Sequence, residues 1–191
     1  ITDSGGWGQN VRIAGDVVLD GTIGVTFSGN GSHHESATFD GEVSGSGDLV
    51  LRGSGNNNTF NFNTTNTFSG TVSVEVDSRI NANSAGALGQ ADLYVRNGAS
   101  LVIAAGVSNA ISDTALLALE GAKDRAQSGK VVLGASETVG LFQIEGLPQQ
   151  SGTWGPEGSG ANVETNLFSG AGILIVQWTE IPPAGCVFIV R

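Results

Sequence analysis

The side chains able to act as ligands or acids are few, so their spacing decides what each could do. His33-His34-Glu35 is the one cluster of metal-ligating types. Neighbours on a strand point to opposite faces, so both histidines reach one ion only from a loop. They lie in SGNGSHHES (28–36), which reads as a loop. A metal site needs three or four convergent ligands, so a solvated loop is the plainer reading. Paired carboxylates are the second candidate, because two acids flanking a glycosidic bond can cleave a polysaccharide. The pairs are Asp16 with Asp20 and Glu75 with Asp77, each expected on one strand face. With one Tyr (Tyr94) and three Trp (Trp7, Trp154, Trp178), no aromatic-lined cleft goes with them. Nor does a basic cluster that would hold an enolate or uronate.

Weaker signals read as structure. Gly45-Ser46-Gly47 and Gly53-Ser54-Gly55 resemble phosphate loops only superficially, lacking the following helix and lysine. They read as turns. GSGDL (45–49) echoes a calcium-binding nonapeptide but is not repeated. Cys186 is the single cysteine, so it makes no internal disulfide, and no histidine near it in sequence would activate it as a nucleophile. The expectation is a protein that is not an enzyme and carries no cofactor or metal.

The elements that must position these residues are short strands. Two-residue alternation recurs at Val11-Arg12-Ile13, Asp48 to Leu51, Thr71 to Val76 and Asp92 to Val95. It returns at Ser100 to Ile103, Lys130 to Leu133, Leu141 to Ile144 and Gly172 to Val176. Such alternation gives each strand one buried and one exposed face. Gly and Asn punctuate the runs as turns. One stretch, SDTALLALEGAKDRAQ (112–127), has helix-friendly composition, but its apolar part, Ala115 to Leu119, fits a buried strand followed by a polar loop.

With 39% apolar residues the chain can fill a core despite its 30 glycines, and at 191 residues it suits one domain. Only 14% of residues are charged, too few for an ordinary helical protein. Strand-and-turn phrases return about every 20 residues, at 10–27, 37–55, 66–89 and 91–106. That spacing selects a winding β-solenoid over a sandwich or barrel. Eight or nine turns at about 4.8 Å each would build a rod on the order of 40 Å long. Asn56, Asn57 and Asn58 are expected to stack at its corners.

The net charge of −10 argues against nucleic acid and anionic lipid as partners. Scattered acids read as a solvated surface. No stretch approaches the length of a membrane span. The composition implies an extracellular protein whose signal peptide has been removed.

Three phrases are more specific: Asn66-Thr67-Phe68-Ser69-Gly70, Ser84-Ala85-Gly86-Ala87-Leu88-Gly89 and Asn97-Gly98-Ala99-Ser100-Leu101. In this order and spacing, residues 66–106 resemble the autotransporter-associated β-strand repeat of bacterial surface passengers. Residues 139–176, with SGTWG and FSGAGIL, resemble the module that closes such arrays. The resemblance implies a right-handed parallel β-helix and an extracellular or cell-surface address. Self-translocation is not implied, because 191 residues leave no room for a membrane barrel and TEIPPAGCVFIVR (179–191) matches no outer-membrane sorting signal.

The expected organisation is a solenoid over 1–178 and an apolar tail over 179–191. Pro182-Pro183 stops any strand, and Cys186-Val187-Phe188-Ile189-Val190 is β-prone and wholly apolar. Exposed, such a run invites aggregation, so it must pair with something. It either covers its own solenoid or joins the next copy as an added strand, with Val187, Phe188, Ile189 and Val190 as the subunit contact. The leading expectation is a self-assembling surface or filament subunit. The alternatives are an adhesin that holds cell-surface glycans through loops 28–36 and 148–162, and a polysaccharide-active enzyme.

Overall fold

Runs such as Leu-Val-Leu-Arg or Asp-Leu-Tyr-Val bury alternate side chains only when extended, and a glycine or asparagine ends each one. The computed structural model describes residues 2–3, 10–27, 34–53, 58–121 and 130–178, and among them every regular element is a strand. The first seven are β1 (Thr2–Asp3), β2 (Asn10–Ile13), β3 (Val17–Leu19), β4 (Ile23–Phe27), β5 (Ser36–Phe39), β6 (Val43–Gly45) and β7 (Leu49–Arg52). Then follow β8 (Asn58–Phe62), β9 (Thr71–Val74), β10 (Ser78–Ala82), β11 (Asp92–Val95), β12 (Ser100–Ile103), β13 (Leu116–Leu119) and β14 (Val131–Leu133). The last are β15 (Glu137–Ile144), β16 (Leu147–Pro148), β17 (Gly152–Gly155), β18 (Val163–Glu164), β19 (Phe168–Gly170) and β20 (Leu174–Trp178).

The chain deals these strands alternately into different sheets. One sheet runs β1-β4-β7-β9-β11-β13-β15-β20 in parallel, a second runs β2-β5-β8-β10-β12-β14-β19 in parallel, and β3 pairs with β6. Each strand therefore lies beside the strand one circuit later, in the same direction. Eight parallel strands in the first sheet span roughly 34 Å across the strands. The circuit is less regular than the expected 20 residues. It is 20 between Asn58 and Ser78, 26 between Asn10 and Ser36, and 37 between Val131 and Phe168. The early circuits carry a third strand, and the last contains an excursion in which β16 turns back on β15 and β17 lies antiparallel to β20.

The core is a set of in-register columns. Leu51, Val74, Val95 and Leu119 stack through the first sheet, and Ala37, Phe60, Ile80, Leu101, Val131 and Phe168 through the second. Rings add to this packing: Phe39 stacks on its register partner Phe62 with centroids 4.7 Å apart, and Phe27 of the first sheet meets Phe60 of the second across the core at 5.4 Å. At the N-terminal end the columns are less covered. Val11, Ile13, Val17 and Ile23 are half-buried, whereas Ala37, Phe39, Val43 and Leu49, their partners one circuit on, are buried.

Several expectations change. Residues 115–119 do supply a buried strand, β13, but both of its faces are buried. Asp16 and Asp20 flank β3, and Glu75 and Asp77 lie in the turn between β9 and β10, so neither pair shares a strand face. Asn58 is a buried strand residue of β8, not a corner residue. Asn56, Asn57, residues 122–127, and the tail with Val187, Phe188, Ile189 and Val190 lie outside the described residues.

Candidate functional site

Corners leave backbone N–H groups without ladder partners, and buried ones must be satisfied. Polar side chains one circuit away do this here. Asn66 is buried; its Oδ1 accepts from Val43 N–H at 2.6 Å, and its Nδ2 donates to Ala87 O at 2.6 Å and Thr64 O at 3.1 Å. Asp48 Oδ1 accepts from both the N–H and the hydroxyl of Thr71, at 2.9 and 2.8 Å. These bonds, helped by Thr22, hold the Asp48 carboxyl below the usual carboxylate range. Asp16 accepts from Glu42 N–H at 2.9 Å, and Asp92 from Leu116 N–H at 2.8 Å. Glu137 is buried and accepts from Ala110 and Ile111 N–H, both at 3.2 Å. Burial outweighs those bonds and pushes its pKa up.

The outward face of the second sheet carries polar columns. Asn81 donates to Asn61 at 2.8 Å, and Asn61 to Thr38 at 3.3 Å. Alongside, Asn83 donates to Asn63 and Asn63 to Asp40, each at 2.8 Å, and Arg12 pairs with Asp40. The Asn63 amide, followed by the Arg12 guanidinium, holds the Asp40 carboxyl below its ordinary range. On the first sheet Arg96 pairs with Glu120, lies 3.9 Å from Glu75, and sits 5.2 Å above the Tyr94 ring centroid. These groups pair with one another between successive circuits.

Several of the residues singled out from sequence have structural occupations. His34 is exposed while Glu35 beside it is buried, which corrects the solvated reading of that carboxylate. His33 lies outside the described residues, and among those described no three His, Cys, Asp or Glu side chains gather as a metal site. Asp48, the acid of the calcium-like phrase, is occupied by Thr71. Glu75 is engaged by Arg96. Trp154 is buried edge-on against Phe142 at 5.2 Å, and its Nε1 donates to Gln150 O. Trp7 and Cys186 lie outside the described residues.

Sequence reasoning missed several buried polar and ionisable groups. Glu35 Oε2, Asn58 Nδ2 and Lys130 Nζ are buried without a hydrogen-bond partner, and burial pushes the Lys130 pKa down to about 8. Polarity alone placed Glu35 and Glu137 on the surface, and no local signal marks them otherwise.

Several residues of these phrases have definite places in the fold. Asn66 joins three circuits, Phe68 and Leu88 are fully buried, and Gly89 has a φ of +58° where a Cβ would strike Phe68 O. A Cβ at Gly70 would strike Gly47 O, and Gly98, at φ +73°, turns the chain into β12. No family model, curated protein or solved structure matches the chain.

Proposed function

We propose that this chain is an extracellular structural protein: a β-solenoid, right-handed as the repeat resemblance implies, that stacks end to end into a surface layer or filament. The observation that carries the reading is that, although Leu19, Val25 and Phe27 of the first described circuit are buried and β1 pairs with β4, Val11, Ile13, Val17 and Ile23 of that circuit are half-buried. Their counterparts one circuit further in are closed over, and β2 ends the second sheet with one edge unpaired among the described strands. An apolar layer beside an open strand edge favours addition of another strand layer, and repeated head-to-tail addition makes a filament. The side-chain ladders support a scaffold role, since they spend the polar groups on holding strands together. The glycan-binding and enzymatic readings have less to stand on. Phe27, Phe39, Phe60, Phe62 and Trp154 are core residues, and Asp16 and Glu75 are held by neighbours.

Negative-stain electron microscopy and sedimentation over a range of concentrations test this. Rods that lengthen with concentration, and that stay short in an Ile13→Lys chain, are expected. Discrete single-chain rods at every concentration overturn the assembly reading.

A further inference from the structure

The two ends of the molecule are closed to different degrees. At the N-terminal end Val11, Ile13, Val17 and Ile23 are half-buried. At the other end Phe168, Leu174 and Val176, the last core residues of the two sheets, are buried. In the first sheet a strand of the late excursion closes that end. β17 lies along the outer edge of β20, with Gly152 opposite Val176, Thr153 opposite Ile175 and Trp154 opposite Leu174, and β18 continues beyond it. Strands of successive circuits pair in parallel, whereas β17 runs antiparallel, so it is a cover and not a further circuit.

The excursion is fastened largely to itself. Asn162 Oδ1 accepts from the N–H and the hydroxyl of Thr153 at 3.1 and 2.8 Å, Glu164 accepts from Gly158 and Gly160 N–H, and Trp154 Nε1 donates to Gln150 O. It holds the rest of the fold through β16 on β15, the three-residue pairing of β17 with β20, and the core contacts of Trp154 and Val163. The second sheet has no such strand: β19 ends it, with its outer edge unpaired among the described strands. The inward columns of that sheet run from Val11 to Phe168 and from Ile13 to Gly170.

We infer that the β19–β20 end receives the N-terminal circuit of a second copy, and that β17 and β18 are a resident plug that must leave before it docks. This rests on the end-to-end reading above and names the surface that completes it. β2 of the incoming copy continues the second sheet past β19 in the same direction, setting Val11 over Phe168 and Ile13 over Gly170. Both columns then run on without a change of phase, and two unpaired strand edges satisfy each other. A copy so placed puts its β1 one strand spacing beyond β20, at about 4.8 Å. That place is held by β17, and two strands cannot share it. The plug therefore keeps single chains apart, and its release gates growth.

Thr153 and Ile175, opposite each other and outside the core, supply the test. In the full chain carrying Thr153→Cys, Ile175→Cys and Cys186→Ser, oxidation locks β17 onto β20 and reduction frees it. Sedimentation and electron microscopy should show single-chain rods in the oxidised state and rods that lengthen with concentration in the reduced state. Trp154→Ala, which loosens the plug, should lengthen at several-fold lower concentration than the unaltered chain, with far-UV circular dichroism unchanged. Arg12→Cys and Ser169→Cys copies, each with Cys186→Ser, should form a disulfide-linked pair when mixed, because the joint sets those positions opposite each other. Equal lengthening in the oxidised and reduced states overturns the plug and leaves end-to-end assembly standing. Lengthening rods with no link between positions 12 and 169 overturn the joint. If neither the unaltered chain nor Trp154→Ala lengthens at any concentration, the end-to-end reading falls and the plug with it.

Discussion

Asn66 and Val43 lie 23 residues apart in sequence but share a 2.6 Å hydrogen bond from Val43 N–H to Asn66 Oδ1. The same side chain donates to Ala87 O, one circuit further on, so a single amide fastens three successive layers. An amide suits the position, since its oxygen accepts from one layer while its two N–H groups donate to Thr64 O and to Ala87 O, and a hydroxyl has only one donor.

Removing it should be costly. Asn66→Ala leaves Val43 N–H and Ala87 C=O without partners in a buried corner, at a loss of about 2–4 kcal/mol. Asn83→Ala, whose exposed amide donates to Asn63, should change stability by less than about 1 kcal/mol. Urea denaturation of the two variants checks the contrast.

Two glycines facing each other across one circuit should respond in opposite ways. A Cβ at Gly41 would collide with the Gly15 carbonyl, whereas one at Gly15 meets nothing within 4 Å. Gly41→Ala should lower stability by at least about 2 kcal/mol, since backbone must move, while Gly15→Ala should be neutral or slightly stabilising. Thermal melts of both chains decide it.

Lys130 gives a signature at alkaline pH. Its pKa falls from 10.5 to about 8 in the folded chain because burial disfavours the ammonium. Between those values the unfolded chain binds more protons, so stability should rise with pH from about 8 to 10.5. Lys130→Met should be more stable at pH 7 and lose that slope. Denaturation curves at a series of pH values measure both.

Acid should act with the opposite sign on different carboxylates. Asp40, Asp48 and Glu164 are held below their ordinary pKa by hydrogen bonds, so what they contribute is present above about pH 4 and lost as pH falls. Glu137 is pushed up by burial, so its contribution declines as pH rises above its ordinary value of 4.5. Asp48→Asn should flatten the acid limb of the stability profile, and Glu137→Gln should remove the opposing decline. Melting temperatures between about pH 2 and 7 separate the two.

The ring column is the last test. Phe62 stacks on Phe39 and lies 6.3 Å from Phe68, with no exposed surface. Phe62→Ala should cost about 3–5 kcal/mol, and Phe62→Leu less. Urea midpoints give the difference.

The sequence alone determined that the chain is built of strands. Alternation places strands at Val11–Ile13, Asp92–Val95 and Ser100–Ile103 because a two-residue period needs no partner to be read. It also marked Ala115–Leu119 as buried. It did not show that both faces of β13 are covered, because a continuous apolar run carries no face. The bulge at Gly140 was likewise illegible, since it depends on two N–H groups competing for one carbonyl on another strand. The same holds for the acids. Asp16, Asp48 and Glu75 could be read as ligands or catalysts while their partners were unknown, and those partners, Glu42, Thr71 and Arg96, lie 26, 23 and 21 residues away. Composition and period are local properties and fix what each segment can become. Which carboxylate is occupied, which lysine is buried and which sheet edge is already paired depend on the register between circuits, and only the tertiary structure sets that register.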